Sequence, residues 1–124
     1  MSQNDFVHLH VHSQYSLLEA SIRPDQLVKK TSDFKQSAVA LTDNGNMFGA
    51  VEFYFAAKEQ SVKAILGTDV FLAPKSRFQK GEDKETLNQP NRRLVLLAQN
   101  TFADTDFSEV MEQGCIAQLA NLDV

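Results

Sequence analysis

The chain has 124 residues, a formal net charge of -4 and 43% hydrophobic side chains, which suits one globular core, either a small domain or part of a larger one. No apolar run approaches the about 20 residues that span a bilayer, and the polar residues Met1–Asp5, with no apolar stretch among them, predict no secretory leader. The acidic balance argues against a surface that grips nucleic acid by bulk charge, and a lone Cys115 excludes an internal disulfide and fits a reducing cytoplasm.

Phe6–His12 alternates apolar and polar side chains, the period of a strand. Ser13–Ile22 reads as a loop. Pro24 opens a helix, with Asp25 and Gln26 in its first turn and Leu27, Val28 and Thr31 on its apolar side, running to about Phe34. Ser37–Leu41 is a short buried strand, and Thr42-Asp43-Asn44-Gly45-Asn46 has the composition of a turn. Met47–Gln60 is a second helix, with Phe48, Val51 and Phe55 spaced as a core-facing stripe. Val62–Leu66 and Val70–Ala73 read as strands separated by Gly67-Thr68-Asp69. The segment Pro74–Arg93 is rich in charges of both signs and reads as a long surface loop. Leu94–Ala98 is a further buried strand, and Phe107–Leu122 is an amphipathic helix interrupted by Gly114. Strands alternating with helices predict an α/β fold with a parallel sheet. A complete eight-stranded α/β barrel needs about 250 residues, so the expectation is a small open sheet or the first part of a barrel. Open edges must pair with something, which makes a homo-dimer one expectation.

The chemistry concentrates on the first strand. His8, His10 and His12, all the histidines of the chain, share one face of it. Same-face neighbours on a strand lie about 6.5–7 Å apart, a spacing at which imidazoles converge on a divalent metal such as zinc, manganese or iron. Asp43 and Asp69 each follow a predicted strand, and ligands of parallel sheets gather beyond the carboxyl ends of strands. Asp43 suits a turn or helix cap equally well, and Asp69 a bulge. Glu19, in the loop after the histidines, is a further candidate acid, with a plain surface carboxylate as its alternative. Cys115 has no neighbouring histidine to make it a nucleophile, and there is neither a Walker-type phosphate loop nor a GxSxG elbow.

Phe6-Val7-His8-Leu9-His10-Val11-His12-Ser13-Gln14-Tyr15-Ser16-Leu17-Leu18 resembles the opening of the alpha subunits of bacterial DNA polymerase III. Ala40–Tyr54, Ile65–Pro74 and Leu94–Asn100 resemble the next three motifs of that family, in order. The resemblance implies the start of a polymerase and histidinol phosphatase (PHP) domain, a distorted (β/α) barrel, over residues 1–100. Residues 101–124 would be a tail unlike the family's continuation, and the chain a truncated version of the longer subunit. Metal-bearing members of the family hold up to three ions and hydrolyse phosphoesters. By position, His10 and His12 match the metal-binding HxH pair and Asp43 the aspartate of the second motif. Asn44 stands in place of a histidine, Glu19 of an aspartate, Asp69 of a glutamate, and Arg93 of a histidine. An aspartate reaches about 1–1.5 Å less far than a glutamate, while metal–ligand distances tolerate about 0.2 Å. The family's later ligands and the polymerase carboxylates fall beyond residue 124. The resemblance therefore implies a non-hydrolytic scaffold with a degenerate metal site, in the cytoplasm. It implies contacts to the rest of the alpha subunit and to the proofreading exonuclease subunit, only indirect contact with DNA, and none with membrane. The alternative is a stand-alone metal-dependent PHP phosphoesterase.

Overall fold

A computed structural model describes residues 6–72 and 92–99. Pro24 starts α1 (Pro24–Asp33), where its missing N–H costs nothing, with Asp25 at the positive end of the helix and Lys30 at the negative end. The chain then enters β1 (Ala38–Asn44), crosses through α2 (Ala50–Glu59), and returns as β2 (Lys63–Leu72), parallel to β1. β3 (Arg92–Leu97) completes a sheet of order β1-β2-β3. One face of the sheet is roofed by the helices. Val39 and Leu41 of β1 meet Leu27 and Val28 of α1 and Phe53 and Ala57 of α2, with Ala64 and Leu66 of β2 packed against them.

The α/β alternation expected from the sequence holds through β2, and three details differ. β3 runs antiparallel to β2, so the sheet is mixed. β1 extends through Thr42, Asp43 and Asn44, and the turn begins at Gly45, which adopts φ +62. β2 is one unbroken strand across Gly67-Thr68-Asp69, because each of these residues pairs on both sides: with Thr42, Asp43 and Asn44 of β1, and with Leu97, Leu96 and Val95 of β3. Gly67 is required here by a close approach. A Cβ at this position would collide with the Leu96 carbonyl oxygen, so the glycine lets β3 lie against β2 instead of ending the strand.

The histidine segment forms a single parallel bridge, His8 to Val39, rather than a regular ladder. Ala40 N–H donates to His8 O at 2.8 Å, but Thr42 N–H donates to Val11 O at 2.8 Å, one residue beyond the His10 oxygen that an even ladder would use. The Thr42 hydroxyl accepts from Val11 N–H at 2.9 Å and fills the gap.

The expected core stripe of the second helix also faces the other way. Phe53 and Ala57, four residues apart, carry the packing, while Phe48, Val51 and Phe55 are 77%, 68% and 57% exposed. The helix is apolar on two sides, and periodicity alone does not say which side is inward. The expected loop Pro74–Arg93 gives up Arg92 and Arg93 to β3, and its remainder, like the expected helix Phe107–Leu122, lies outside the described residues.

Two stability measurements follow. Phe53→Ala is expected to cost about 3–5 kcal/mol in urea unfolding of dilute protein, with Phe55→Ala costing a small fraction of that. Gly67→Ala is expected to cost about 1–3 kcal/mol by forcing β3 away from β2, and an unchanged midpoint would show that the strands do not pair this closely.

Candidate metal centre

Asp69 lies in the interior of β2 and is fully buried. The pairing register puts Ala64, Leu66 and Thr68 on the helix side, which leaves Gly67, Asp69 and Phe71 on the opposite face. On that face, His10 Nε2 and His12 Nε2 lie 2.9 Å and 3.0 Å from the same atom, Asp69 Oδ2. The two imidazoles meet edge to face with centroids 5.2 Å apart. One ligand atom from each of His10, His12 and Asp69 lies within 4.8 Å of the others, so a single ion can draw all three together.

Glu19 reaches the same place from the loop. Its Oε2 lies 3.1 Å from His12 Nδ1. Leu18, held at φ 66, turns the chain so that Glu19 points back, a conformation that costs about 1 kcal/mol or more for a residue with a side chain. Backbone bonds from Glu19 N–H and Ala20 N–H to Ser16 O, at 3.1 Å and 3.2 Å, secure the turn. Both ring nitrogens of His12 thus face carboxylate oxygens. With an ion on Nε2, Glu19 would accept from Nδ1–H and orient the ring, as carboxylates behind metal-bound histidines do.

A fixed cation already occupies part of this space. Arg93 of β3 donates from Nε to Asp69 Oδ1 at 3.3 Å, and its Nη2 lies 3.2 Å from Asp69 Oδ2 and 3.4 Å from Glu19 Oε2. Its guanidinium sits 5.2 Å from the Phe71 ring centroid. Burial pushes the Asp69 carboxyl up, but hydrogen bonds from His10 and His12 and the Arg93 charge outweigh it and hold the group below its ordinary range.

The remaining sequence candidates go elsewhere. Asp43 is in register with Thr68, so it lies on the helix side of the sheet, opposite Asp69. Its carboxylate accepts from Ser13 N–H at 2.6 Å, Ser13 Oγ at 2.7 Å and Ser16 Oγ at 2.8 Å. It anchors the loop that leaves the histidine segment. Asn44 is in register with Asp69 and shares its face, and its amide donates to Glu19 Oε1 at 3.2 Å. His8 stands outside the cluster, exposed and edge-on to Phe6 at 4.8 Å. The irregular pairing between residues 8 and 11 explains this, because the extra residue breaks the strict alternation that would set all three imidazoles together. Ser13 and Ser16 were not among the sequence candidates, and no spacing signal marks them.

The depressed Asp69 group fixes the sign of a pH effect. Its charged form is favoured in the fold, so its contribution is complete above the ordinary carboxylate range and is lost as pH falls through the lowered native value. Asp69→Asn should therefore flatten the acid side of a stability-against-pH curve, and a curve of unchanged slope would remove Asp69 as a source of acid sensitivity.

Known proteins share this fold and much of this sequence. A family model described as the PHP domain matches residues 8–113. The DNA polymerase III subunit alpha of Treponema pallidum is 43% identical over 100 residues, covering 81% of this chain and 8% of that protein. The same subunit of Aquifex aeolicus is 41% identical over 117 residues, covering 91% of this chain and 10% of that protein. The chain thus spans a tenth or less of the length of these relatives. Among solved structures, a Bifidobacterium adolescentis protein described as a metal-dependent phosphoesterase superposes with a TM-score of 0.55 at 18% identity, over 89% of this chain and 34% of its own. An amidohydrolase from Chromobacterium violaceum gives a TM-score of 0.55 at 18% identity, over 84% and 32%. The sequence match runs from the imidazole segment through every described helix and strand, and the fold agrees with it: the chain belongs to the PHP domain family.

Proposed function

We propose that this chain serves as the N-terminal PHP portion of a replicative DNA polymerase alpha subunit, as a scaffold whose metal centre has lost hydrolytic competence. The kinship with DNA polymerase III alpha subunits supports the first half of this reading. The second half rests on one observation: the Arg93 guanidinium lies on the same Asp69 oxygen that both imidazoles share. The donors His10, His12 and Asp69, with Glu19 behind His12, fit one zinc, manganese or iron ion. They do not fit a cluster of ions. Asp43 is committed to two serines on the far face, Asn44 offers an amide where a cluster needs imidazole, and Arg93 adds a positive charge between the two acids.

In this reading the residues act structurally. Asp69 gathers two imidazoles and a guanidinium from separate segments, and Glu19 closes the loop over them. The rest of the alpha subunit and the proofreading exonuclease subunit are the proposed contacts, with DNA reached only through them, in the cytoplasm. The second reading, a stand-alone metal-dependent phosphoesterase, draws on the same convergence of His10, His12 and Asp69. An ion held there would supply Lewis acidity and a more acidic bound water.

Metal analysis and a phosphomonoesterase assay on the purified chain separate the two. The scaffold reading expects at most one metal per chain and no turnover. It also expects Arg93→Ala to bind zinc about tenfold tighter or more, because a competing cation is removed. Two or more tightly held ions, with turnover abolished by His10→Ala, would overturn it.

A further inference from the structure

Ser16 is buried, and its hydroxyl is fastened to two consecutive residues of β1. It donates to Asp43 Oδ1 at 2.8 Å and accepts from Asn44 N–H at 2.9 Å. The Ser16 carbonyl accepts from Glu19 N–H and Ala20 N–H and closes the turn in which Leu18 stands at φ 66. Leu18 is fully exposed, so packing of its own side chain does not offset the cost of that backbone conformation. What the turn secures is the placement of Glu19. Its Oε1 accepts from the Asn44 amide at 3.2 Å, and its Oε2 lies 3.1 Å from His12 Nδ1 and 3.4 Å from the Arg93 guanidinium.

We propose that Ser16 is a positioning residue for the metal centre: through the left-handed turn at Leu18 it sets Glu19 behind His12, and so raises the affinity of His10, His12 and Asp69 for one divalent ion. The inference rests on the reading that these three residues hold a single ion. A carboxylate on Nδ1 fixes the tautomer that leaves Nε2 to the ion and makes that nitrogen a better donor, an effect worth roughly 10–100-fold in affinity. A Glu19 released from its turn would act against the site twice. The His12 ring would lose its orienting partner, and Arg93, which now divides its contacts between Glu19 and Asp69, would be left to Asp69 alone. Asp43 supplies the anchor. Held on the far face of the sheet by Ser13 and Ser16, it fixes the loop to β1 without offering a ligand of its own.

Calorimetric titration of the metal-free full chain with zinc tests this. Glu19→Gln and Ser16→Ala are each expected to weaken zinc binding about tenfold, and the double variant no further than Glu19→Gln alone, because both remove the same placement. A serine that only stabilises the fold gives losses that multiply, to about a hundredfold in the double variant. Leu18→Pro carries the test where Ser16→Ala does not fold, since the position is exposed and a ring that locks φ at about −65° cannot keep the turn. It is expected to lose about tenfold, again with nothing added by Glu19→Gln. Zinc bound as tightly by folded Ser16→Ala or by Leu18→Pro as by the unsubstituted chain, or losses that multiply, overturns the inference while the single-ion reading stands. An unsubstituted chain that takes up no zinc overturns both.

Discussion

A carboxylate removed from water must be neutralised and hydrogen-bonded by groups held in place, or it opens the structure around it. Asp69 sets this requirement in the middle of β2, and the described structure is arranged to meet it. Imidazoles arrive from the segment beside β1, and a guanidinium from β3. Glu19 returns from the loop to engage both the second imidazole and the guanidinium. Elements distant in sequence are thus joined at one side chain, on the face of the sheet that the helices leave open. The apolar core on the other face gives the sheet its stability, and Asp69 holds the open face in register.

Much of this was legible in the sequence. The HxH pair and the two acids after candidate strands were visible as residue types at informative positions, and His10, His12 and Asp69 do converge. Which acid joins them depends on strand register. Asp43 lies at the carboxyl end of β1 and Asp69 in the interior of β2, and Asp43 is level with Thr68, so the two carboxylates point to opposite faces. A sequence gives the period of a strand but not its offset from its neighbour, and an offset of one residue exchanges the faces. The same gap in information hid the role of Asp43, whose serine partners lie 27 and 30 residues away in the chain.

Helix α2 shows the limit from another side. Periodicity found a genuine apolar stripe, but a helix with two such stripes needs a tertiary neighbour to decide between them. The Phe53–Ala57 side met the sheet and the other remained in solvent. Gly67 is a similar case: read locally it breaks a strand, yet its bare α-carbon allows one strand to lie close to another. In both places the residue type was informative and the partner that gave it meaning was not in the local sequence.

The antiparallel arrival of β3 has a consequence for how this region tolerates change. Arg93 stands near the start of the strand, level with Phe71. A slip of β3 by a single residue would break this pairing. It would offer Arg92 or Leu94 where the guanidinium now stands, and in the second case leave the aspartate facing a hydrocarbon. Change around β3 is therefore tolerable only as long as the strand keeps its phase.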